Sequence, residues 1–489
     1  MKNIIRAISN HKITLILWLF IAAYIGYFSF FSILRYRTLY ASYYDLGIMN
    51  QTVYNTYQAI KTHDWSRVLE MTDPDSSIQI KRMAIHNDIL MAAFAPFYFI
   101  HAGTETLLVI QTIILGIGAW AVFKIAQFIF QKNKYKELLS LIFALAYLLY
   151  SPMQRANIFD FHAVTLATTL LLFMFYFFLV KRYRWSFLFF ILSILSKEEV
   201  ALTTAFFSLY VLFFNKNNKS SRIYSLAMLV ISIVWFKLSM SVIIPFFRGG
   251  HHFALSYYSD FGDSSTGIIT GIIGNPFSLA KYLFRWDTLT YFFYLLGPLG
   301  FLSLLSPIHL LIATPEFAIN LLSSDWNMRN VIYHYTSVIQ PFVFISAIYG
   351  ANKLMSLRGG KKIAATIIVF TLIFSYFKSP LPYSREAEIH PFKYPQAPYK
   401  EVAFWAGILK DDSLKIAATG QVAPHFSSRR YLYLFSDRYR LADYIVIRLT
   451  EIYNYPEKNT LIPVYNHLVH DKNFQLIFQD KGLQVFKKI

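Results

Sequence analysis

A charged segment, Ser196-Lys197-Glu198-Glu199, interrupts sequence that is otherwise apolar enough for a membrane. It separates two apolar runs, Trp185 to Leu195 and Val200 to Phe214. Each ionised residue at a bilayer centre costs roughly 2.5 to 3.5 kcal/mol, so three in a row would outweigh the apolar gain of the neighbouring turns. Two short helices that meet at a polar, water-accessible cavity would avoid this cost. A charged loop at the membrane surface, without a function, is the alternative interpretation.

Another carboxylate, Asp45, comes soon after the first long apolar run, Ile13 to Leu34. It is therefore expected just above the outer membrane surface, where it could act as a general base or hold a divalent ion. An Asp that precedes a helix running through Asn50 and Val53 could also be a simple N-cap.

Two short segments each offer an imidazole and a carboxylate, His86-Asn87-Asp88 and Asp160-Phe161-His162. Together they could form an acid-base site or a metal site with oxygen and nitrogen ligands. Mg²⁺ or Mn²⁺ held by Asp45, His86 and Asp88 is one form that this site could take. The two-residue spacing is not a diagnostic ligand pattern, and Asp88 could instead cap the next helix.

Two arginines suit an anionic lipid substrate, and one more carboxylate lies inside an apolar stretch. Arg155 and Arg329 are predicted to face outwards, where a guanidinium could bind a phosphate, although single arginines at span ends commonly snorkel to lipid headgroups. Glu316 lies inside the apolar stretch Ile308 to Leu322 and is expected to face the same cavity. His251-His252 lie in an outer loop with Gly and Ser neighbours, which is either a mobile lid or merely a loop.

The elements that must position these residues are membrane helices. The chain has 489 residues, of which 56% are hydrophobic, 18% aromatic and only 15% charged, a composition typical of a polytopic membrane protein. The formal charge of +19 falls in short clusters between apolar spans, which indicates topology signals and lipid contacts rather than nucleic-acid binding. Without any Cys, a metal site must use oxygen or imidazole ligands.

The apolar spans predict about eleven crossings, starting with a retained first span. Cation clusters such as Lys132/Lys134/Lys136 and Lys181/Arg182/Arg184 lie in alternate connections, which predicts a cytoplasmic N-terminus and an outer C-terminus. The predicted organisation is a membrane region over 1–377, a linker over 378–398 and a soluble extracytoplasmic α/β domain over 399–489. The membrane region includes a first outer loop, 35–100, with an interfacial helix. Short strands are expected at Lys415 to Gly420, Tyr431 to Phe435 and Tyr444 to Ile447.

Six segments in order resemble an uncharacterised family of predicted bacterial and archaeal membrane proteins, domain of unknown function 2079, whose architecture is similar to that of GT-C class membrane glycosyltransferases. The segments are Tyr44-Asp45-Leu46-Gly47-Ile48 with Gln51, His86 before an apolar stretch, Phe159-Asp160-Phe161-His162, Lys197-Glu198-Glu199-Val200, Pro315-Glu316 with Asn320-Leu321-Leu322-Ser323, and His334-Tyr335 leading to Pro341.

The resemblance implies transfer of a sugar, with inversion, from a polyprenyl-phosphate donor to a glycan, lipid or protein acceptor at the outer face of the cytoplasmic membrane. It implies that Asp45 is the general base and that Lys197, with Arg155, stabilises the phosphate leaving group. Four residues, Glu198, Glu199, Glu316 and His86, would position these groups or hold a cation. The residues expected to contact substrate are Tyr44, Gln51, Arg155, Asp160, His162, Glu316, Arg329, His334 and Tyr335.

Two other functions stay open at this point. A transporter or flippase for a charged lipid or solute would also need charged residues at membrane depth, but it would distribute polar residues throughout and show related halves. A non-catalytic assembly or sensor protein would keep the scaffold without needing Asp45.

Overall fold

Helices dominate the chain before residue 380, and a small sheet follows. The computed structural model describes residues 2–214, 218–454 and 458–489. The α-helices are α1 (Lys2–Arg37), α2 (Ile48–Thr62), α3 (Thr104–Ile129), α4 (Lys136–Leu148), α5 (Ser151–Ile158), α6 (Ala167–Leu179), α7 (Tyr183–Ile194), α8 (Val200–Phe214), α9 (Lys219–Leu238), α10 (Ile244–Arg248), α11 (Ser265–Gly274), α12 (Pro276–Leu283), α13 (Trp286–Leu296), α14 (Pro307–Leu310), α15 (Thr314–Leu322), α16 (Gln340–Arg358), α17 (Gly360–Lys378), α18 (His390–Lys393), α19 (Tyr399–Ile408), α20 (Leu449–Asn454) and α21 (Lys458–His470). The strands are β1 (Glu70–Thr72), β2 (Gln79–Lys81), β3 (Ile416–Ala418), β4 (Leu432–Leu434), β5 (Tyr444–Arg448), β6 (Phe474–Asp480) and β7 (Leu483–Lys488).

Several helical segments are long and apolar enough to cross a membrane, which takes about 20 residues. Within the described residues these are Lys12–Arg37, Thr104–Ile129, Lys136–Ile158, Lys219–Arg248 and Gly360–Lys378. Leu15, Leu19 and Phe30 on α1 are more than half exposed, as expected of side chains that face lipid. The predicted all-α polytopic architecture with a small strand-containing C-terminal domain is confirmed. The number of crossings, about eleven, stays a prediction.

Two short helices flank the charged segment, as the sequence predicts. The 12-residue α7 and the 15-residue α8 are both shorter than the roughly 17 to 25 residues that a span requires. The segment between them is enclosed by protein, since the side chains of Glu198, Lys197 and Glu199 are 3%, 11% and 16% exposed. The segment is therefore not exposed, while its interpretation as a loop at the membrane surface without a function stays untested.

The first outer loop places Asp45 in an irregular turn rather than at a helix cap. A π-helical turn, Tyr43–Gly47, runs directly into α2, and its N-cap position is taken by Ser42. A Cβ on Gly47 would lie 2.7 Å from the Tyr43 ring, so glycine allows the tight turn. The predicted interfacial helix is a 3-10 helix over Ile89–Phe99, and Asp88 before it makes no side-chain cap bond. The N-cap interpretation is therefore wrong for Asp45, whereas Asp88 occupies the N-cap position of its helix but uses its carboxylate to bind Arg82.

The C-terminal region folds as a five-stranded sheet with the order β4-β3-β5-β7-β6. The first three of these strands are parallel and coincide with the predicted strands, while β7 and β6 add an antiparallel hairpin. Lys481 and Gly482 turn this hairpin with positive φ values of 46° and 83°, as a type I′ turn requires. The Asp480-Lys481-Gly482 sequence between two apolar runs is a hairpin signal that adds these two strands to the three predicted ones.

The C-terminal domain contacts the first outer loop through hydrogen bonds, an ion pair and a shared apolar core. Gln51 Nε2 donates to the Arg430 carbonyl at 2.9 Å, and the Arg430 guanidinium pairs with Glu70 at 2.9 Å. The backbone N–H of Tyr43 donates to the Gly420 carbonyl at 2.9 Å. One apolar core also contains side chains of both parts. The segment that carries Asp45 is thus held between the membrane helices and the C-terminal domain.

Candidate active site

A cavity of about 490 Å³ lies where the first outer loop, the charged segment after α7 and the segment before α16 converge. Eight predicted site residues lie on its wall, although they are spread over almost 300 positions of the sequence. These residues are Tyr44, Asp45, His86, Asp88, His162, Lys197, His334 and Tyr335. The cavity is therefore the candidate active site.

The Asp45 carboxylate is held by an imidazole. Its Oδ1 lies 2.9 Å from Nε2 of His162, and the His162 ring stacks on His334 with ring centroids 3.7 Å apart. Nδ1 of each ring is buried without a hydrogen-bond partner among the described residues. Burial, together with the neighbouring His162, lowers the pKa of His334 well below its usual value. A neutral His334 avoids repulsion within the stack, and His162 can donate to Asp45 and fix its orientation.

A second carboxylate lies behind Asp45. Asp160 sits between α5 and α6 in the left-handed region, with φ of 52°, which Asp tolerates better than most residues. Its Oδ2 accepts a hydrogen bond of 3.0 Å from the backbone N–H of Ser42, so Asp160 stabilises the turn that carries Asp45. Burial, and then the negative charge of Asp45, raises the pKa of Asp160 to about 7. Asp160 does not line the cavity, so the structure supports a positioning role for it.

One carboxylate is shared by two imidazoles. Glu198 Oε1 lies 2.8 Å from Nδ1 of His86 and 3.1 Å from Nε2 of His252, while Glu198 Oε2 accepts a hydrogen bond of 2.8 Å from the backbone N–H of Asn87. Three elements distant in sequence therefore meet at Glu198. His86 faces the 490 Å³ cavity, whereas Glu198 and His252 line an adjoining one.

The adjoining cavity is apolar and has a volume of about 290 Å³. Its walls come mainly from α8, α11 and α15, with side chains such as Leu202, Ile268 and Leu322, and its charged lining residues are Glu198 and Glu199. A polar cavity and an apolar cavity thus adjoin at the charged segment. This arrangement suits an amphiphile with a charged head and a hydrocarbon tail.

Three cationic side chains line the polar cavity. Lys197 Nζ pairs with Glu199 at 2.8 Å. Arg82 binds both carboxylate oxygens of Asp88 through Nε and Nη2, at 2.8 to 3.0 Å, but its Nη1 is buried without a partner among the described residues. Arg248, at the end of α10, lies over the Phe253 ring. The cavity therefore contains donors for an anionic group.

Besides Asp160, four predicted substrate contacts lie outside this cavity. Arg155 donates to the carbonyl oxygens of residues 378, 379 and 386, so it fastens the linker to α5. Arg329 pairs with Asp287 at 2.6 Å, and Gln51 joins the outer loop to the C-terminal domain. Glu316 is buried in α15, and its Oε2 lacks a partner among the described residues. Direct substrate contact by these four residues stays a prediction that the geometry does not support.

The sequence pattern does not single out Arg82 and Arg248 as site residues, and it places His252 only in a loop. The available signal was the run Arg248-Gly249-Gly250-His251-His252 at the end of an apolar span. Its cation and imidazoles indicate polar contacts, but nothing local says that His252 turns inward while His251 stays exposed.

The predicted metal ligands do not form one group. Asp45 contacts His162, Asp88 is bound by Arg82, and His86 contacts Glu198. Binding of Mg²⁺ or Mn²⁺ by Asp45, His86 and Asp88 stays a prediction.

The fold is similar to that of a solved structure of ArnT. The structure of ArnT from Cupriavidus metallidurans bound to undecaprenyl phosphate matches with a TM-score of 0.54 at 12% identity, over 96% of this chain and 97% of that one. ArnT in the apo state matches with a TM-score of 0.48 at 10% identity, over 91% and 93%. The arabinofuranosyltransferase AftD from Mycobacteria matches with a TM-score of 0.43 at 12% identity, over 95% of this chain and 40% of that one. The first of these matches shows that the chain shares the polytopic membrane fold of ArnT.

The family follows from the sequence itself. Residues 35–475 match the family described as "Predicted membrane protein (DUF2079)", so the chain belongs to that family. The resemblance carried by the six segments is thereby confirmed. No curated protein matches this chain.

Proposed function

We propose that this protein is a membrane glycosyltransferase that transfers a sugar from a polyprenyl-phosphate donor to an acceptor hydroxyl on the extracytoplasmic face. The observation that carries the proposal is Asp45, a carboxylate fixed by His162 on the wall of a cavity that also contains Lys197, Arg82 and Arg248. A base and a set of cations in one cavity are what displacement of a phosphate by a hydroxyl requires. The fold shared with ArnT, whose structure holds undecaprenyl phosphate, supports the choice of donor.

In the proposed reaction Asp45 accepts the proton of the acceptor hydroxyl. The acceptor oxygen bonds to the anomeric carbon as the bond from that carbon to the phosphate oxygen breaks, with inversion. The electron pair leaves with the lipid phosphate, and Lys197 stabilises the negative charge. The unpartnered Nη1 of Arg82 offers one more hydrogen bond to a phosphate oxygen.

The division of the site into two cavities agrees with a lipid-linked donor. The sugar phosphate would occupy the polar cavity, and the first isoprenoid units would lie in the apolar one, against side chains such as Leu202 and Ile268. The charged segment 197–199 would then lie beside the phosphate. Its charge at membrane depth is explained by the position of the donor, whose phosphate sits at the interface while its tail stays in lipid.

The proposed topology has the N-terminus inside and the C-terminal domain outside. The cations in alternate connections support this orientation. The contacts of the C-terminal domain with the first outer loop require both to be on one side of the membrane, which the odd number of predicted crossings satisfies.

The test is sugar transfer by the purified protein in lipid, with labelled polyprenyl-phosphate sugars as donors and the host's envelope extract as acceptor. Asp45→Asn should lower turnover by roughly 10² to 10⁴-fold, the usual contribution of a general base. Its amide oxygen can still accept from His162, so the variant should fold and bind donor. Asp437→Asn, on an exposed residue of the C-terminal domain, is the matched control.

Equal turnover by Asp45→Asn and the control would contradict the assignment of the base. Donor that crosses the bilayer without any transfer would favour a flippase instead.

A further inference from the structure

We propose that His86, Glu198 and His252 form a binding site for one transition-metal ion, with Zn²⁺ as the best match. The three groups come from the first outer loop, the charged segment after α7 and the loop after α10. The site differs from the predicted Mg²⁺ or Mn²⁺ site and shares only His86 with it. It also stands apart from the proposed transfer reaction, because metal binding can be measured without any turnover.

The spacing of the ligand atoms fits a single ion. His86 Nδ1 and His252 Nε2 lie 2.8 and 3.1 Å from the same oxygen of Glu198, and the three ligand atoms all lie within 4.8 Å of one another. Bonds of about 2.0 to 2.2 Å in tetrahedral geometry place ligand atoms about 3.4 Å apart. Small shifts of these side chains would therefore accommodate the ion. Among the residues that the structure describes, no other group of three His or carboxylate side chains is this close.

The donor set selects the class of metal. Two imidazoles and one carboxylate suit Zn²⁺ and related transition metals, whereas Mg²⁺ and Ca²⁺ prefer oxygen ligands. The site is also enclosed, since the side chains of Glu198 and His252 are 3% and 4% exposed. His86, at 19% exposed, borders the polar cavity. A fourth position on that side could take water or a substrate oxygen, as in zinc sites with three protein ligands.

One neighbouring hydrogen bond orients Glu198, and another must break before His252 can bind an ion. Asn87 N–H binds Glu198 Oε2, which leaves Oε1 for the ion. His252 Nδ1 accepts a hydrogen bond of 3.0 Å from the backbone N–H of Ala254. A neutral imidazole bound to metal through Nε2 carries its proton on Nδ1, so this contact must open on binding. Metal binding should therefore change amide exchange in the 3-10 helix Phe253–Tyr258.

The alternative is a metal-free hydrogen-bond network, in which His86 and His252 simply donate to Glu198. The experiment separates the two arrangements with the full-length protein, purified in detergent through an affinity tag that contains no histidine. The protein is treated with a chelator, incubated with Zn²⁺ and desalted, and bound metal is counted by elemental mass spectrometry. Parallel samples receive Mg²⁺, Mn²⁺ or Co²⁺.

We expect about one Zn²⁺ per chain, no retained Mg²⁺ under the same conditions, and a tetrahedral Co²⁺ absorption spectrum. His252→Asn should bind Zn²⁺ at least tenfold more weakly. His251→Asn, on the exposed neighbouring imidazole, is the matched control and should bind as the parent does. Glu198→Gln is a second variant, and size-exclusion elution together with thermal unfolding of the chelator-treated proteins establishes that each variant is folded.

Equal Zn²⁺ binding by folded His252→Asn and by His251→Asn would overturn the proposal. Zn²⁺ well below one per chain in the parent would also overturn it, and would leave the hydrogen-bond network as the role of these residues. A protein that binds Zn²⁺ but transfers no sugar would contradict the proposed function and leave the metal site supported.

Discussion

Asp160→Asn should change how the stability of the protein depends on pH. Burial and the charge of Asp45 raise the pKa of Asp160 from 3.8 to about 7, so the folded protein binds a proton more tightly there than the unfolded chain does. The stabilisation from protonated Asp160 is complete at pH values below the pKa that this residue has in the unfolded chain. It is lost as the pH rises through the pKa that Asp160 has in the folded protein. The relevant window therefore runs from about pH 4 to pH 7.

The expected magnitude follows from this shift. A difference of about 3 pKa units, at 1.36 kcal/mol each, is on the order of 4 kcal/mol lost across the window. The side chain of Asp160 is buried, so solvent screens the effect little. Asn is neutral at every pH, and its side-chain oxygen can still accept the hydrogen bond from the Ser42 N–H. The variant should therefore lack this part of the pH dependence.

The assay is thermal unfolding in detergent, followed by tryptophan fluorescence at several pH values from 4.5 to 8.5. The difference in Tm between Asp160→Asn and the parent should move in favour of the variant as the pH rises, by several degrees overall. Asp437→Asn, which removes an exposed carboxylate, should follow the parent. A Tm difference between Asp160→Asn and the parent that is the same at all pH values would refute the reasoning, because it would mean that Asp160 does not titrate in this window.

Two further substitutions test the packing around the site. Arg82→Ala should lower stability by about 3 to 5 kcal/mol because it leaves Asp88 buried and unpaired. Adding Asp88→Asn should recover part of this loss, as measured by thermal unfolding. If stability does not recover, Arg82 and Asp88 are not energetically coupled. Gly350→Ala should lower the free energy of unfolding by about 1 to 3 kcal/mol because the new Cβ would collide with the Leu302 carbonyl. Gly26→Ala meets nothing within 4 Å and should be neutral. Similar Tm values for the two variants would contradict the close approach of the backbone at Gly350 to that at Leu302.

Properties that depend on local composition were predictable from the sequence. The apolar runs gave the membrane class, and the short pair α7 and α8 followed from the unfavourable energy of charge in lipid. The strands β3, β4 and β5 followed from short apolar runs between turn residues. These inferences hold because burial of an apolar side chain is favourable wherever it occurs.

The partners of the charged residues were not predictable in the same way. Arg155 and Arg329 looked like phosphate ligands, but the fold brings the linker to Arg155 and Asp287 to Arg329. His252 looked like a loop residue, but it contacts Glu198, 54 positions away.

The sequence by itself thus determined that this is a membrane protein, and it predicted charge at membrane depth and an outer carboxylate at Asp45. Only the tertiary structure decided that Asp45 contacts His162, that Glu198 joins His86 to His252, and that a polar cavity adjoins an apolar one. The physical reason is that apolar burial is nearly independent of the partner, whereas a hydrogen bond or ion pair needs atoms within about 3 Å in the right direction. Contacts at that distance between remote segments exist only after the helices and the C-terminal domain have packed.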